Sequence, residues 1–168
     1  MKVSLKNPKE KGNNFERKIA KMLSNWSGFK FIRTPMSGAL HNFKDKRVVS
    51  DIVPSLSLGN FPFSIECKNV SCSWEISKIL DGTSITLIEH WEQCKVNAKE
   101  EELYPWLIFT KNFRRIYSMM YTEQFKKLPL MDINFIEIFL SESQPIIIFD
   151  FQDFLEKISI KEFQTSFS

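Results

Sequence analysis

Asp51, Glu66 and Lys68 are the residues whose types and spacing could do chemistry. Glu66 and Lys68 lie in a stretch, Phe61 to Lys68, that alternates cleanly: Phe61, Phe63, Ile65 and Cys67 on one face, Ser64, Glu66 and Lys68 on the other. Such alternation predicts a strand, and residues two apart on a strand stand on one side, about 6–7 Å apart. A carboxylate and an ammonium are therefore neighbours while the apolar face anchors the strand. Taken alone, that pair is equally well an ion pair on a wet face. Asp51 changes the weighing. It interrupts an otherwise apolar run (Val48, Val49, Ile52, Val53) closed by Pro54, 15 residues before Glu66. The gap suits a second strand, a short turn and a return, so pairing of the two strands would bring Asp51 and Glu66 close on one face. Two carboxylates within reach repel, and a hard divalent cation such as Mg2+, held by one or two carboxylates and waters, relieves the repulsion. Lys68 beside that ion would position or deprotonate an attacking water, or neutralise charge developing on a phosphate. The set suits phosphodiester hydrolysis.

The elements that must position these groups follow from the local pattern. Residues 1–12 read as a polar lead-in. Asn13 or Asn14 caps a helix to about Trp26, with Phe15, Ile19, Met22, Leu23 and Trp26 as its apolar stripe and Ser27-Gly28 as its stop. Glu16 lies at the margin of that stripe. Its carboxylate is either aimed along the sheet toward the site or paired with a basic residue on the helix surface. Phe29 to Thr34 reads as a strand ended by Pro35, followed by a polar loop from Met36 to Arg47. Val48 to Val53 is the second strand, and a turn at Leu58-Gly59-Asn60 leads into the third. Helical character returns from about Ser84 to Glu102, with Ile85, Ile88, Trp91 and Ala98 as core contacts. Trp106 to Thr110, Arg114 to Tyr121, Phe135 to Leu140 and Pro145 to Phe149 are short, β-branched or aromatic strands. Asp150 caps a last helix to about Ile158, with Asp153 at its third position, and the residues after Lys161 are expected to fray. The expected architecture is α/β, one domain with a central mixed β-sheet flanked by helices. Its core spans about residues 10–121, and residues 122–168 form a C-terminal strand and helix extension.

Composition removes whole classes of function. Of 168 residues, 43% are hydrophobic and 26% charged, as in an ordinary globular domain. The longest apolar run, Pro145 to Phe149, is too short to span a bilayer, and no apolar segment marks an export signal near Met1. Cys67, Cys72 and Cys94 cannot all pair with one another and lack paired zinc-site spacing, which suits a reduced, cytoplasmic protein. The net charge of +3 hides an asymmetry. Residues 1–47 carry 12 basic and 3 acidic side chains (+9), whereas residues 48–168 carry 11 and 17 (−6). A basic front half is either a polyanion-facing surface or a solvated lysine-rich face.

Together these residues resemble the PD-(D/E)XK nuclease superfamily, most closely the archaeal and phage type of Holliday-junction resolvase. The matching stretches are Lys11-Gly12-Asn13-Asn14-Phe15-Glu16-Arg17, Gly28-Phe29, Arg33, Ser37-Gly38-Ala39, Ser50-Asp51-Ile52 and Ile65-Glu66-Cys67-Lys68. Gln93 and Thr110-Lys111-Asn112 also fall where that family often carries polar residues. Ser50 replaces the proline of the motif's name. The resemblance spans about residues 10–121 and implies a restriction-endonuclease-like fold. By it, Asp51, Glu66 and the backbone carbonyl of Cys67 would ligate Mg2+, for which Mn2+ would substitute, and Lys68 would be the catalytic lysine. Glu16 would hold Lys68 or a water on the ion, and Ser37 would sit near the scissile phosphate. From its own pattern Ser37-Gly38 is as readily a turn.

The charge map supplies the partner. Lys9, Lys11, Arg17, Arg33, Lys44, Lys46 and Arg47 cluster around the front edge of this site, and Lys and Arg contacts to phosphate give affinity without reading sequence. No helix-turn-helix or zinc-finger pattern suggests base readout. The expectation is a Mg2+-dependent endonuclease on branched, four-way DNA, with no nucleotide cofactor and no membrane partner. The alternatives are a nicking, restriction-like or homing endonuclease on duplex DNA, and a DNA-binding accessory protein without hydrolytic activity. Symmetric cutting of two strands calls for a homodimer. Trp74, Ile76, Ile79 and Leu80 would supply either its interface or core packing.

Overall fold

The computed structural model describes residues 8–34, 49–59, 61–70, 85–111, 114–129, 132–139 and 144–168. Helix α1 runs Pro8–Ser27, so it begins before the two asparagines that were expected to cap it. Proline suits the first turn of a helix, where its missing N–H has no partner to lose, and the polar residues that follow continue the helix through Gly12. Phe15, Ile19, Ala20 and Leu23 are buried on one stripe, with Met22 and Trp26 partly buried beside them. Gly28, at φ 74°, ends the helix with its N–H on the Ser24 carbonyl, a left-handed cap that glycine adopts without strain.

The strands are β1 (Phe31–Arg33), β2 (Ile52–Pro54), β3 (Phe63–Val70), β4 (Tyr104–Lys111), β5 (Ile116–Tyr121), β6 (Phe135–Ile138) and β7 (Ile146–Asp150). They form one mixed sheet in the order β1-β2-β3-β4-β5-β7-β6. Among the described strands only β3 and β4 run parallel, with Glu66 beside Leu107 and Lys68 beside Phe109. That pair needs a long crossover, and helix α2 (Ile85–Glu100) lies within it. The fold is therefore α/β with helices on both faces.

Both faces of the central strands are dry, which is why β4 reads as an unbroken apolar run rather than an alternating one. Trp106 and Ile108 join Phe63, Ile65, Cys67 and the stripe of α1 on one side. Leu107 and Phe109 join Leu87, Trp91 and Cys94 of α2 on the other. Ala98 is buried as expected and Ile88 is half-buried. Trp91 is buried as expected too, Leu87 and Cys94 join it against the sheet, and the side chain of Ile85 lies outside the described residues.

The second strand is shorter than expected. Residues 49–51 bend instead of extending, and the ladder begins only at Ile52, opposite Ile65. The reason is a competing acceptor. The Val49 and Ser50 amides donate to the Glu101 carboxylate, not to a neighbouring strand.

The C-terminal residues correct a second expectation. Beyond the short helix α3 (Thr122–Phe125), helix α4 (Phe151–Lys157) starts at Asp150, whose carboxylate accepts from the Gln152 and Asp153 amides. The chain after Lys161 does not fray. Ser159 caps a further helix, α5 (Ile160–Ser166), in a reciprocal capping box with Glu162. Phe163 from this helix is 1% exposed and packs on Phe61, Phe63, Trp106 and Phe154. Trp26 of α1 donates its indole N–H to the Ile158 carbonyl at 2.6 Å. Aromatic burial at a single position outweighs the polar character of its neighbours, so the tail docks. We expect Ser159→Ala to lower stability by about 1 kcal/mol in denaturant unfolding, the usual worth of a lost cap. A frayed tail would leave the midpoint unchanged. Among the described residues, no helix is long and apolar enough to cross a membrane.

Candidate active site

β3 carries the centre. Glu66 is 5% exposed on the α2 face of the sheet. Its Oε1 meets Lys68 Nζ at 2.5 Å and its Oε2 accepts from Asn97 Nδ2 at 3.1 Å. Gln93, one turn earlier on α2, donates in turn to Asn97 Oδ1 at 2.7 Å. The pairing of Ile52 with Ile65 sets Asp51 and Glu66 one step further along the same ladder. Asp51 is fixed there twice: its N–H donates to the Ile65 carbonyl at 2.9 Å, and its Oδ2 accepts from the Cys67 N–H at 2.8 Å.

The electrostatics follow from that placement. Burial and then the neighbouring Glu66 charge raise the Asp51 pKa from 3.8 to about 7, with Glu16 adding to the rise and the Cys67 amide and Lys68 opposing it. Lys68 moves the other way from what burial alone would give. Desolvation pulls its pKa down, but the Glu66 carboxylate at hydrogen-bond distance outweighs it and holds the pKa above the ordinary lysine value. Lys68 is therefore an ammonium at neutral pH, suited to neutralising charge and not to accepting a proton. The Cys67 thiol is buried, and burial followed by the surrounding carboxylates pushes its pKa well up. It stays a neutral thiol, so any ligand from this residue is its backbone.

Glu16 comes from α1. Its carboxylate pairs with the Arg33 guanidinium, and Arg33 also donates to Asn13 Oδ1 at 2.8 Å. Glu16 thus pairs with a basic residue, Arg33 of the expected front edge, and also lies close enough to raise the Asp51 pKa. Lys68 takes Glu66 as its partner. Of the remaining basic residues, Arg17 is exposed on α1 and donates to Asn14 Oδ1, and Lys11 is half-buried on the same helix. Ser37, Lys44, Lys46 and Arg47 lie outside the described residues, as do Trp74, Ile76, Ile79 and Leu80.

Three polar groups on α2 and at its C-terminal end escaped the reading of the sequence. Asn97 holds Glu66, and Glu101, just past the helix end, holds the backbone before Asp51. His90 lies in the same field. Burial, then the Lys68 charge, lower its pKa, so it is neutral at pH 7. The available signal was the spacing 90, 97, 101, which returns to one side of a helix at intervals of seven and four residues.

The donor set fits a hard divalent cation. Two carboxylates share a largely desolvated place and repel each other, and magnesium takes one or two protein carboxylates with waters completing its shell. Among the described residues, no group of three or more His, Cys, Asp and Glu converges into a ready-made cage.

The chain matches the family described as "Phage putative PDDEXK endonuclease" over residues 7–165. No curated protein and no solved structure matches it.

Proposed function

Because the chain belongs to this phage PDDEXK endonuclease family, we propose that it is a Mg2+-dependent DNA endonuclease working at Asp51, Glu66 and Lys68 on branched, four-way DNA. One arrangement carries the reading: Asp51, pinned by the Ile65 carbonyl and the Cys67 N–H, lies beside the buried Glu66, whose carboxylate is paired with Lys68. A purely structural strand end has no reason to keep two acids in that relation. Nucleases of this superfamily generally use divalent metals, which supports the cofactor.

In this mechanism Asp51 and Glu66 would hold the ion, with the Cys67 carbonyl as a further donor. When bound, the ion would act as a Lewis acid on the scissile phosphate. Lys68, charged at neutral pH, neutralises negative charge as water adds to phosphorus and one P–O bond breaks. The attacking water gives up its proton to solvent and the departing alkoxide takes one up from solvent, so the proton count balances. Asn97 keeps the Glu66 carboxylate turned toward the centre, and Cys67 does the same for Asp51. Glu16 and Asn13 hold Arg33, whose guanidinium would meet a backbone phosphate at the margin of the centre. By the family resemblance, Ser37 would act near the scissile phosphate, and Lys11, Arg17, Lys44, Lys46 and Arg47 would supply further phosphate contacts. A symmetric junction would be cut by a homodimer, one centre per strand. The enzyme would act in the cytoplasm.

The test is cleavage of a four-way junction and of a linear duplex of the same sequence, titrated with Mg2+ and Mn2+. Cleavage of the junction at least ten-fold faster is the expected result. Equal cutting of both would move the protein to the duplex-acting nucleases. Binding of either DNA without cleavage at any metal concentration would make it an accessory protein. Contact through phosphates also predicts that junction affinity falls steeply with salt, by about 10³-fold or more between 50 and 200 mM if six or more phosphates are neutralised.

A further inference from the structure

We infer that Glu101 is a positioning residue for this centre, acting through Ser50 to set where Asp51 meets Glu66. The inference rests on the reading of Asp51 and Glu66 as cation ligands. Glu101 follows the last turn of α2, and its N–H donates to the Asn97 carbonyl. It is 4% exposed. A carboxylate is an unfavourable group for that position, since it is withdrawn from water and sits at the negative end of a helix. Its surroundings compensate. Oε1 accepts from the Val49 and Ser50 amides, each at 3.0 Å, and Oε2 accepts from the Ser50 hydroxyl. The Ser50 hydroxyl also meets the Ser64 hydroxyl at 2.8 Å, on β3 two residues before Glu66.

These bonds decide the path of the chain into Asp51. An amide that donates to Glu101 cannot also donate to a neighbouring strand, so residues 49–51 bend and the ladder starts at Ile52. Asp51 is the first residue after the clamp, and its own N–H is the first to enter the sheet. The same helix fixes the other carboxylate, because Asn97, one turn before Glu101, bonds Glu66. One edge of α2 therefore grips both acid-bearing segments and sets the gap between them. A site that must share one small ion between two carboxylates depends on that gap, and a displacement of about 1 Å is enough to cost a large factor in function.

Three substitutions separate positioning from bulk stability, read first by Mn2+ binding calorimetry without DNA and then by cleavage. Glu101→Asp keeps the charge but withdraws the oxygens by one methylene, so Mn2+ affinity is expected to fall about ten-fold, with the half-saturating metal concentration for cleavage rising to match. Glu101→Gln keeps an amide oxygen for the two backbone N–H groups, and its affinity is expected to stay within about three-fold of the parent. Ser159→Ala removes a cap far from the centre and serves as the stability control, with no change in Mn2+ affinity. Equal Mn2+ affinity in Glu101→Asp and the parent protein would overturn the positioning role while leaving the nuclease reading intact. Affinity that tracks melting temperature across all three variants would also overturn it. A parent protein that neither binds Mn2+ nor cuts DNA would remove the premise itself.

Discussion

Glu66→Ala is expected to reduce metal-dependent cleavage by about 10³-fold or more, and Lys68→Ala by about 10²–10³-fold, the range seen when one charge-stabilising group is removed from a catalytic site. The two losses have different origins. Without Glu66, one of two cation ligands is gone, and Lys68 loses the partner at 2.5 Å that holds it in place. Without Lys68, Glu66 keeps Asn97 and its place as a ligand, and what is lost is the ammonium that neutralises charge in the transition state. DNA affinity, measured by mobility shift in chelator, should change by less than about three-fold in either variant, because phosphate contacts from the basic front half supply it. The measurement is single-turnover cleavage at saturating enzyme, which separates chemistry from binding. Cleavage at the parent rate by both variants would dismiss the centre.

The alternation of Phe63, Ile65 and Cys67 against Ser64, Glu66 and Lys68 is local, so β3 and its polar face were legible residue by residue, whereas the burial of that face under α2 was not. Asp51 was legible because an acid inside an apolar run is costly unless something uses it. Glu101 was not. It stands in the charged run Lys99-Glu100-Glu101-Glu102, which reads as a solvated helix end, and its partners lie 51 and 52 residues away. Only the tertiary fold makes that acid buried and bonded. The shortened β2 follows from the same bonds, since apolar composition predicts a strand without revealing that an outside acceptor has taken its amides. Arg33 illustrates the converse. Its charge was visible, whereas its engagement by Glu16 and Asn13, from a helix 17 and 20 residues earlier, belongs to the packing of α1 on β1. The tail turned on Phe163, whose burial against six other aromatic rings no local pattern announces.

Asp51→Asn should abolish cleavage and at the same time make the metal-free protein more stable at pH 8. In the unfolded chain Asp51 titrates near 3.8, whereas in the folded protein burial and Glu66 move it to about 7. Between those values the folded state binds a proton that the unfolded state has released, so stability falls as pH rises through this window and levels off above it. The drop is on the order of a few kcal/mol, or roughly 5–10 °C in melting temperature for a chain of this size. Asparagine carries no charge to desolvate, and its side-chain oxygen can still accept from the Cys67 N–H. The variant should therefore match the parent at pH 4 and melt well above it at pH 8. Added Mn2+ reverses the order, because a ligand that binds only the folded parent stabilises it by mass action. At pH 8 it should raise the parent's melting temperature and leave Asp51→Asn where it was. The shift in the parent should shrink toward pH 5 as protons compete for the same carboxylate. An Asp51→Asn protein that melts with the parent at pH 8 in chelator would show that the two acids impose no strain on each other, and the case for a shared cation would lose its physical basis.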